Sequence, residues 1–174
     1  IQNLPSLRER EIDEEEWIEG WKEHFPLLRV GNQLVVRSSW HTYLPKPGDI
    51  ILNLDPGLAF GTGHHPTTHM SLRILESVVH PKQMVLDIGT GSGILAIATV
   101  NLGASSVIGI DTDSTAIRVA RANAKKNAVA GKIHVLHGSL QSRRISSQRF
   151  DLILANISSQ FLLENASVLI DCLH

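Results

Sequence analysis

The sequence predicts an α/β fold with an open parallel β-sheet. Two observations favour it: a strand–glycine turn–helix pattern, and apolar runs that alternate with helical or polar segments. Residues 85–98 begin as an apolar run ending in Asp87, continue with three glycines at alternate positions, and end as an apolar stretch without Gly or Pro. This pattern is typical of a buried strand, a tight turn and a helix. Short apolar runs at 107–110, 133–136 and 150–155 predict further strands, which helical or polar segments separate. Strands that alternate with helices indicate a parallel sheet.

The glycine turn predicts a site for a nucleotide-like ligand. Glycines at positions 89, 91 and 93 keep side chains away from an approaching ligand. The helix that follows offers unpaired N–H groups at its start. Two patterns fit this loop, because residues 91–96 match the dinucleotide fingerprint G-x-G-x-x-A whereas residues 87–93 read D-x-G-x-G-x-G. The second pattern resembles the first motif of methyltransferases that use S-adenosylmethionine (AdoMet).

The acid at the end of the first strand favours the second pattern. A diphosphate binds best to bare N–H groups without a fixed negative charge nearby. AdoMet has no phosphate and carries a cationic amine and a cationic sulfonium, so the carboxylate of Asp87 suits it. We therefore predict a cofactor site for AdoMet that includes Asp87, Gly89, Thr90, Gly91 and Gly93. A nicotinamide-dependent dehydrogenase stays open as an alternative.

Composition and charge indicate an ordinary globular chain. Its 174 residues suffice for one domain, or for one domain with an appendage. The net charge of −1 gives no global basic field, so we expect no direct binding of nucleic acid. No apolar run approaches the ~20 residues of a membrane span, and the one cysteine, Cys172, fits a reducing, cytoplasmic location. Because the chain begins at Ile1 and ends within a helical pattern, we expect a piece of a longer protein.

Residues 1–47 are predicted to form a linker helix and a short β-hairpin ahead of the main domain at 48–174. Aromatic side chains recur every four residues on one face of that helix, at Trp17, Trp21 and Phe25. Such a stripe favours core packing over ligand stacking. Apolar runs on both sides of a turn at 31–33 predict the hairpin.

A second glycine-containing loop, residues 55–68, leads into a helix. Such a loop is costly to order unless it covers a ligand, although an ordinary connector with Thr67 or Thr68 as the helix cap stays open. His65 and His69 have the spacing of metal ligands on a helix. No H-E-x-x-H motif and no carboxylate at ligand spacing accompany them, so we predict no metal site.

Polar side chains stand at the ends of the predicted strands, where ligands bind in open α/β sheets. Asp111 suits a carboxylate that accepts both hydroxyls of a ribose, because Asp113 is a better candidate for the cap of the following helix. Asn156 ends the fourth strand, and we expect it to face the methyl-bearing sulfur. Residues 141–149 predict a polar loop.

These residues resemble the ribosomal protein L11 methyltransferases, a family of AdoMet-dependent class I methyltransferases. The resemblance begins near Trp17 and is most specific in residues 54–68, although the family usually has Thr where this chain has His64. It implies a Rossmann-like class I methyltransferase sheet with a strand order that begins 3-2-1-4. No counterpart of the last three strands of that sheet, or of the family's N-terminal substrate-recognition domain, is recognisable in the sequence.

The resemblance also implies roles for individual residues. Thr68, Gly89, Asp111 and Asn156 match AdoMet contacts, residues 138–140 lie where related proteins often contact adenine, and Phe60 with Gly61 matches part of a pocket lid. The implied reaction is transfer of the AdoMet methyl group to amines of ribosomal protein L11, at a Lys side chain, the N-terminal amine, or both.

We expect Asn156 to be the catalytic residue, holding a neutral amine in line with the S–CH3 bond. Methyltransferases of amides or nucleobases usually carry Asn/Asp-Pro-Pro-Tyr here, whereas residues 156–159 read Asn-Ile-Ser-Ser. Further alternatives are a methyltransferase that acts on another protein or on a small molecule, and a non-catalytic AdoMet-binding module in a larger assembly.

The expected strand order leaves residues 152–154 on an edge of the sheet. An apolar edge invites pairing with other chains. We therefore predict that partner strands or a second copy of the chain cover this edge, which makes a homo-oligomer the expectation.

Overall fold

The structure, a computed structural model, describes residues 25–55, 61 and 63–174. The predicted linker helix, with Trp17 and Trp21, lies outside these residues, and so does Phe60. In chain order the elements are β1 (Leu28–Val30), β2 (Leu34–Arg37), β3 (Ile50–Asn53), α1 (Pro66–Val78), β4 (Met84–Ile88), α2 (Ile94–Asn101), β5 (Ser106–Asp111), α3 (Ser114–Lys126), β6 (Ile133–His137), α4 (Arg143–Ser146), β7 (Leu152–Ala155), α5 (Ser159–Glu164) and α6 (Ala166–Asp171).

The larger sheet has four parallel strands in the order β6-β5-β4-β7. Counted along the chain from β4, this is the predicted order 3-2-1-4. Within the register, Asp87 lies opposite Gly109 on β5, and Ile88 lies opposite Ala155 on β7. The carboxyl ends of β4, β5 and β7 therefore meet at one edge, as the sequence predicts for the candidate site residues.

The smaller sheet contains the predicted hairpin and one additional strand. β1 and β2 pair antiparallel, and β3 joins β2 in parallel, with Leu34 opposite Ile50. The strand just after the expected domain boundary at residue 48 therefore pairs with a strand before it. Leu34 and Leu52 of this sheet belong to the same buried cluster as Ile97 of α2. The division of the chain near residue 48 stays a prediction.

Both faces of the four-stranded sheet are buried, because side chains alternate between them along each strand. Val85 and Val107 pack in the cluster that contains α2 and α3. Leu86 and Ile108 pack on the opposite face, with the fully buried Phe150. The glycine turn therefore connects a strand and a helix that both lie in the core, which holds the turn in a fixed position.

Glu76 attaches α1 to the hairpin. Its carboxylate accepts hydrogen bonds from the backbone N–H groups of Asn32, Gln33 and Leu34, at 2.7–3.2 Å. Burial raises the pKa of Glu76, but these three N–H groups outweigh burial and bring the pKa below its ordinary value. The smaller sheet thereby fixes α1, whose first turn reaches the candidate site.

β7 forms one edge of the four-stranded sheet. Just before β7, Phe150 forms a parallel bridge with Leu173, and its N–H group donates to the carbonyl of Cys172 at 2.8 Å. In the described part of the chain, no strand pairs with the outer edge of Leu152–Ala155 itself. Coverage of this edge by a partner or a second copy stays a prediction. Among the described helices, none has the length and apolar character that crossing a bilayer requires.

Candidate functional site

A cavity of about 530 Å³ lies at the carboxyl ends of β4, β5 and β7. Of the predicted site residues, Gly89, Gly91, Asp111 and Asn156 line it. The structure thus brings together the glycine turn and the polar ends of two further strands. These positions are far apart in the sequence, and the parallel register of the sheet places them side by side.

The glycine turn leaves room only for glycine at two of its positions. Gly89 has φ +67°, and a Cβ atom there would lie 2.5 Å from Cγ2 of Ile157. Gly93 caps α2 with φ +80°, and a Cβ atom would lie 3.2 Å from Cβ of Ala120 on α3. These contacts let Ile157 and α3 approach the turn closely and shape the cavity between them.

Asp111 is oriented by two backbone N–H groups. Its Oδ2 accepts from Gly91 at 3.0 Å, and its Oδ1 accepts from Asp113 at 3.0 Å. Each carboxylate oxygen retains capacity for a second donor, as two ligand hydroxyls require. Asp113 caps α3 by accepting from the N–H of Thr115 at 2.7 Å, so Asp111 is not needed as the cap.

Asp87 and Thr90 are buried next to the glycine turn, and neither lines the cavity. The Asp87 side chain is buried, with 1% exposed, and its Oδ2 accepts from the Thr90 hydroxyl at 2.7 Å. Burial raises the pKa of Asp87 to about 6, against the lowering effects of Thr90 and of the Ala96 N–H group. The structure gives both residues a supporting position, and their direct contact with a cofactor stays a prediction.

Thr68 and Asn156 are in contact although they are 88 positions apart in the sequence. The Asn156 side-chain amide donates to the Thr68 hydroxyl at 3.2 Å, and Thr68 is 1% exposed. No donor among the described residues bonds to the Asn156 Oδ1 atom, which leaves that oxygen available to a ligand. The first turn of α1 thus fixes the polar group at the end of β7.

The loop before α1 contacts the glycine turn through Gly61. The Gly61 carbonyl accepts from the Ser92 hydroxyl at 2.5 Å, so Gly61 lies against the turn and not in the cavity lining. The lid role of Phe60 and Gly61 stays a prediction. His65 caps α1 by accepting from the N–H of Thr67, so the open alternative in which Thr67 or Thr68 is the cap is wrong.

The sequence does not predict several of the residues that line the cavity. Phe161 on α5, Ala116 on α3 and Ile157 add apolar surface to the cavity. Only a helical pattern marks Phe161 and Ala116, and that pattern does not distinguish core from ligand contact. Residues 138–140 also line the cavity, in agreement with their predicted position.

The charge of the cavity distinguishes between ligands. Among the residues that the structure describes, its lining includes the carboxylates of Asp111 and Asp113 and no Lys, Arg or His side chain. A negative site of this kind favours a cationic ligand and disfavours a pyrophosphate. This geometry therefore favours AdoMet over the dinucleotide alternative.

Comparisons with known proteins identify the family of this chain. A family model described as ribosomal protein L11 methyltransferase matches residues 2–173. The chain is 50% identical over 140 residues to the ribosomal protein L11 methyltransferase of Chloroflexus aurantiacus, which covers 80% of this chain and 43% of that protein. It is 46% identical over 155 residues to the one of Geobacter sulfurreducens, covering 89% and 50%.

Solved structures show the same fold. The ribosomal protein L11 methylase of Lactobacillus delbrueckii subsp. bulgaricus superposes with a TM-score of 0.77 at 36% identity, over 85% of this chain and 75% of that one. An AdoMet-dependent methyltransferase from Thiobacillus denitrificans, at 22% identity and a TM-score of 0.53 over 64% and 46%, shares the fold. The chain spans about half the length of the curated relatives that it matches. The chain belongs to the ribosomal protein L11 methyltransferase family.

Proposed function

We propose that this chain is the AdoMet-binding, methyl-transferring part of a protein N-methyltransferase that acts on amines of ribosomal protein L11, in the cytoplasm. The observation that carries the proposal is the cavity beside Asn156, where the described part of the chain contributes two carboxylates and no cationic side chain to the lining. Membership of the ribosomal protein L11 methyltransferase family supports the substrate.

The residues of the cavity fit AdoMet. Asp111 offers acceptors for ribose hydroxyls, and its carboxylate favours a cationic ligand. Phe161, which is partly exposed, provides an apolar surface for a purine ring. When bound, AdoMet supplies an electrophilic methyl group on a sulfonium.

Asn156 holds the acceptor amine in this proposal. Its Nδ2 donates to Thr68, which fixes the side chain and leaves Oδ1 to accept an N–H of the amine. The amine must be neutral to use its lone pair, so it first loses a proton to solvent. Partial burial by Ile157 favours the neutral form, because desolvation lowers the pKa of an amine. The proposed catalysis by this chain depends mainly on positioning.

The test combines ligand binding with methyl transfer. Calorimetric titration of the 174-residue chain with AdoMet should give saturable binding, and titration with NADH should give none. Incubation with methyl-labelled AdoMet and purified L11 should transfer label to L11. Binding of AdoMet without transfer would instead favour a non-catalytic module, and binding of NADH alone would favour a dehydrogenase.

A further inference from the structure

We propose that Ser92 and Asn123 are positioning residues for methyl transfer, because they fix the first turn of α1, and with it the Thr68–Asn156 contact, relative to the glycine turn. This inference depends on the proposed function for its link to catalysis. Neither residue lines the cavity. Both are buried, and both form hydrogen bonds between segments that are distant in the sequence.

Ser92 connects the glycine turn to the loop before α1. Its hydroxyl donates to the Gly61 carbonyl at 2.5 Å and accepts from the N–H of Ile94 at 3.3 Å. Gly61 lies so close to this side chain that a Cβ atom on it would be 2.9 Å from the Ser92 Oγ atom. The contact therefore defines how near this loop lies to the turn.

Asn123 on α3 forms a separate hydrogen bond with the backbone of Ser92. Its side-chain amide donates to the backbone carbonyl of Ser92 at 2.8 Å, and it is buried. One turn later, Asn127 donates from its side chain to the Asn123 carbonyl at 2.9 Å. Asn127 also exchanges two hydrogen bonds of 2.8 Å with the backbone of Asn53 at the end of β3.

A second contact attaches α3 to the residues after β3. Lys126 at the end of α3 pairs with Asp55, which also accepts from the N–H of Ser39 at 2.6 Å. α3 therefore contacts both described ends of the stretch between β3 and Gly61. It contacts Asp55 directly through Lys126, and it contacts Gly61 through Ser92. We call the hydrogen-bonded series Asn53–Asn127–Asn123–Ser92–Gly61 the α3 clasp.

The contacts of Gly63, His65 and Thr68 leave these residues little freedom for adjustment. Gly63 is buried, and a Cβ atom there would lie 3.3–3.4 Å from side-chain atoms of Ile94, Leu28 and Val36. His65 then caps α1, and Thr68, which lies in the first turn of α1, contacts Asn156. A displacement of Gly61 is therefore transmitted to Thr68, and from there to the group that we propose to hold the amine.

The experiment compares the variants Ser92→Ala and Asn123→Ala with Ser105→Ala in the full 174-residue chain. Ser105 is a matched control, because its exposed hydroxyl donates to the backbone carbonyls of Lys82 and Gln83, away from the cavity. Three quantities are measured: the AdoMet dissociation constant, the rate of methyl transfer to L11 at saturating AdoMet and L11, and hydrogen exchange at the His69 amide. This amide forms the first hydrogen bond of α1, to His65.

We expect exchange at His69 to rise about tenfold or more in both clasp variants, because loss of the contact lowers the free energy of local opening. The saturated rate should fall about tenfold or more, with the AdoMet dissociation constant within about fivefold, since a misplaced group costs rate more than binding. Thermal unfolding of each variant shows that it is folded at the assay temperature. A merely structural role would lower the melting temperature and leave the saturated rate at the value of Ser105→Ala.

Two results overturn the proposal. One is a saturated rate for Ser92→Ala equal to that of the control, and the other is unchanged exchange at His69. If the wild-type chain binds AdoMet but transfers no methyl group to L11, the proposed function fails separately. Hydrogen exchange alone then decides whether the α3 clasp fixes α1: faster exchange supports the clasp, and unchanged exchange refutes it.

Discussion

Replacement of Asp87 by Asn should change the pH dependence of stability in a defined direction. Burial raises the pKa of Asp87 from its ordinary value of 3.8 to about 6. Between these values the folded chain holds a proton that the unfolded chain has released, so the free energy of unfolding falls as the pH rises. The stabilisation that this group contributes is fully present below about pH 4 and is lost as the pH rises through about 6. The sign is opposite to that of an acid in a salt bridge.

The magnitude follows from the two pKa values. A change from 3.8 to about 6 corresponds to about 3 kcal/mol, at roughly 1.4 kcal/mol for each pH unit. About 2 kcal/mol of this should be lost between pH 4.5 and 7.5, where the protein is most easily studied. Asn at position 87 does not titrate, so its own contribution is constant over that range. The stability of Asp87→Asn relative to wild type should therefore improve by about 2 kcal/mol as the pH rises.

Urea unfolding of both proteins at several pH values measures this difference. Asp49→Asn is the control, because the Tyr43 hydroxyl, the Lys46 N–H group and Arg29 lower the pKa of Asp49 to about 2. Its difference from wild type should therefore be nearly constant above pH 5. A flat profile for Asp87→Asn, or relative stability that declines as the pH rises, would refute the buried position of this carboxylate behind the turn.

Three further predictions concern the site. Gly89→Ala places a Cβ atom 2.5 Å from Ile157 in a left-handed backbone, so the free energy of unfolding from urea titrations should fall by about 2–4 kcal/mol. An unfolding curve identical to that of the wild type would contradict this geometry. Asp111→Asn removes the charge that favours a cationic ligand, and calorimetry should show AdoMet affinity reduced about 10- to 100-fold; an unchanged affinity would exclude Asp111 from the binding site. Asn156→Ala should keep AdoMet affinity within several-fold and reduce turnover of L11 about 100-fold, whereas unchanged turnover would remove Asn156 from the chemistry.

The sequence predicts those parts of the site that depend on local structure. The turn at Gly89, the acid at Asp111 and the amide at Asn156 each follow a strand, and the parallel sheet then places them at one edge. The hairpin also follows from local patterns, and the order of the four strands is the one that the family resemblance implies. These predictions require no knowledge of how individual side chains pack.

Features that depend on tertiary contacts escape prediction. The sequence does not predict that the Thr90 hydroxyl donates to the buried carboxylate of Asp87, because no local pattern gives the orientation of a side chain at a strand end. Residues 141–149 are polar overall and are predicted as a loop, yet they contain the short helix α4, with the fully buried Ile145. The contact between Ser92 and Gly61 joins residues 31 positions apart and has no signature in either segment.

Asp111 and the glycine turn determine each other's geometry, and this has a consequence for binding. The Gly91 N–H group donates to Asp111, which itself is fixed by the N–H group of Asp113 at the start of α3. The acid is therefore held in one orientation by the backbone of the same turn that shapes the cavity. A ligand that binds there need not order this carboxylate, which lowers the entropic cost of binding. Substitution at Asp111 should therefore loosen the turn as well as remove a ligand contact, so faster amide exchange at Gly91 should accompany the loss of affinity.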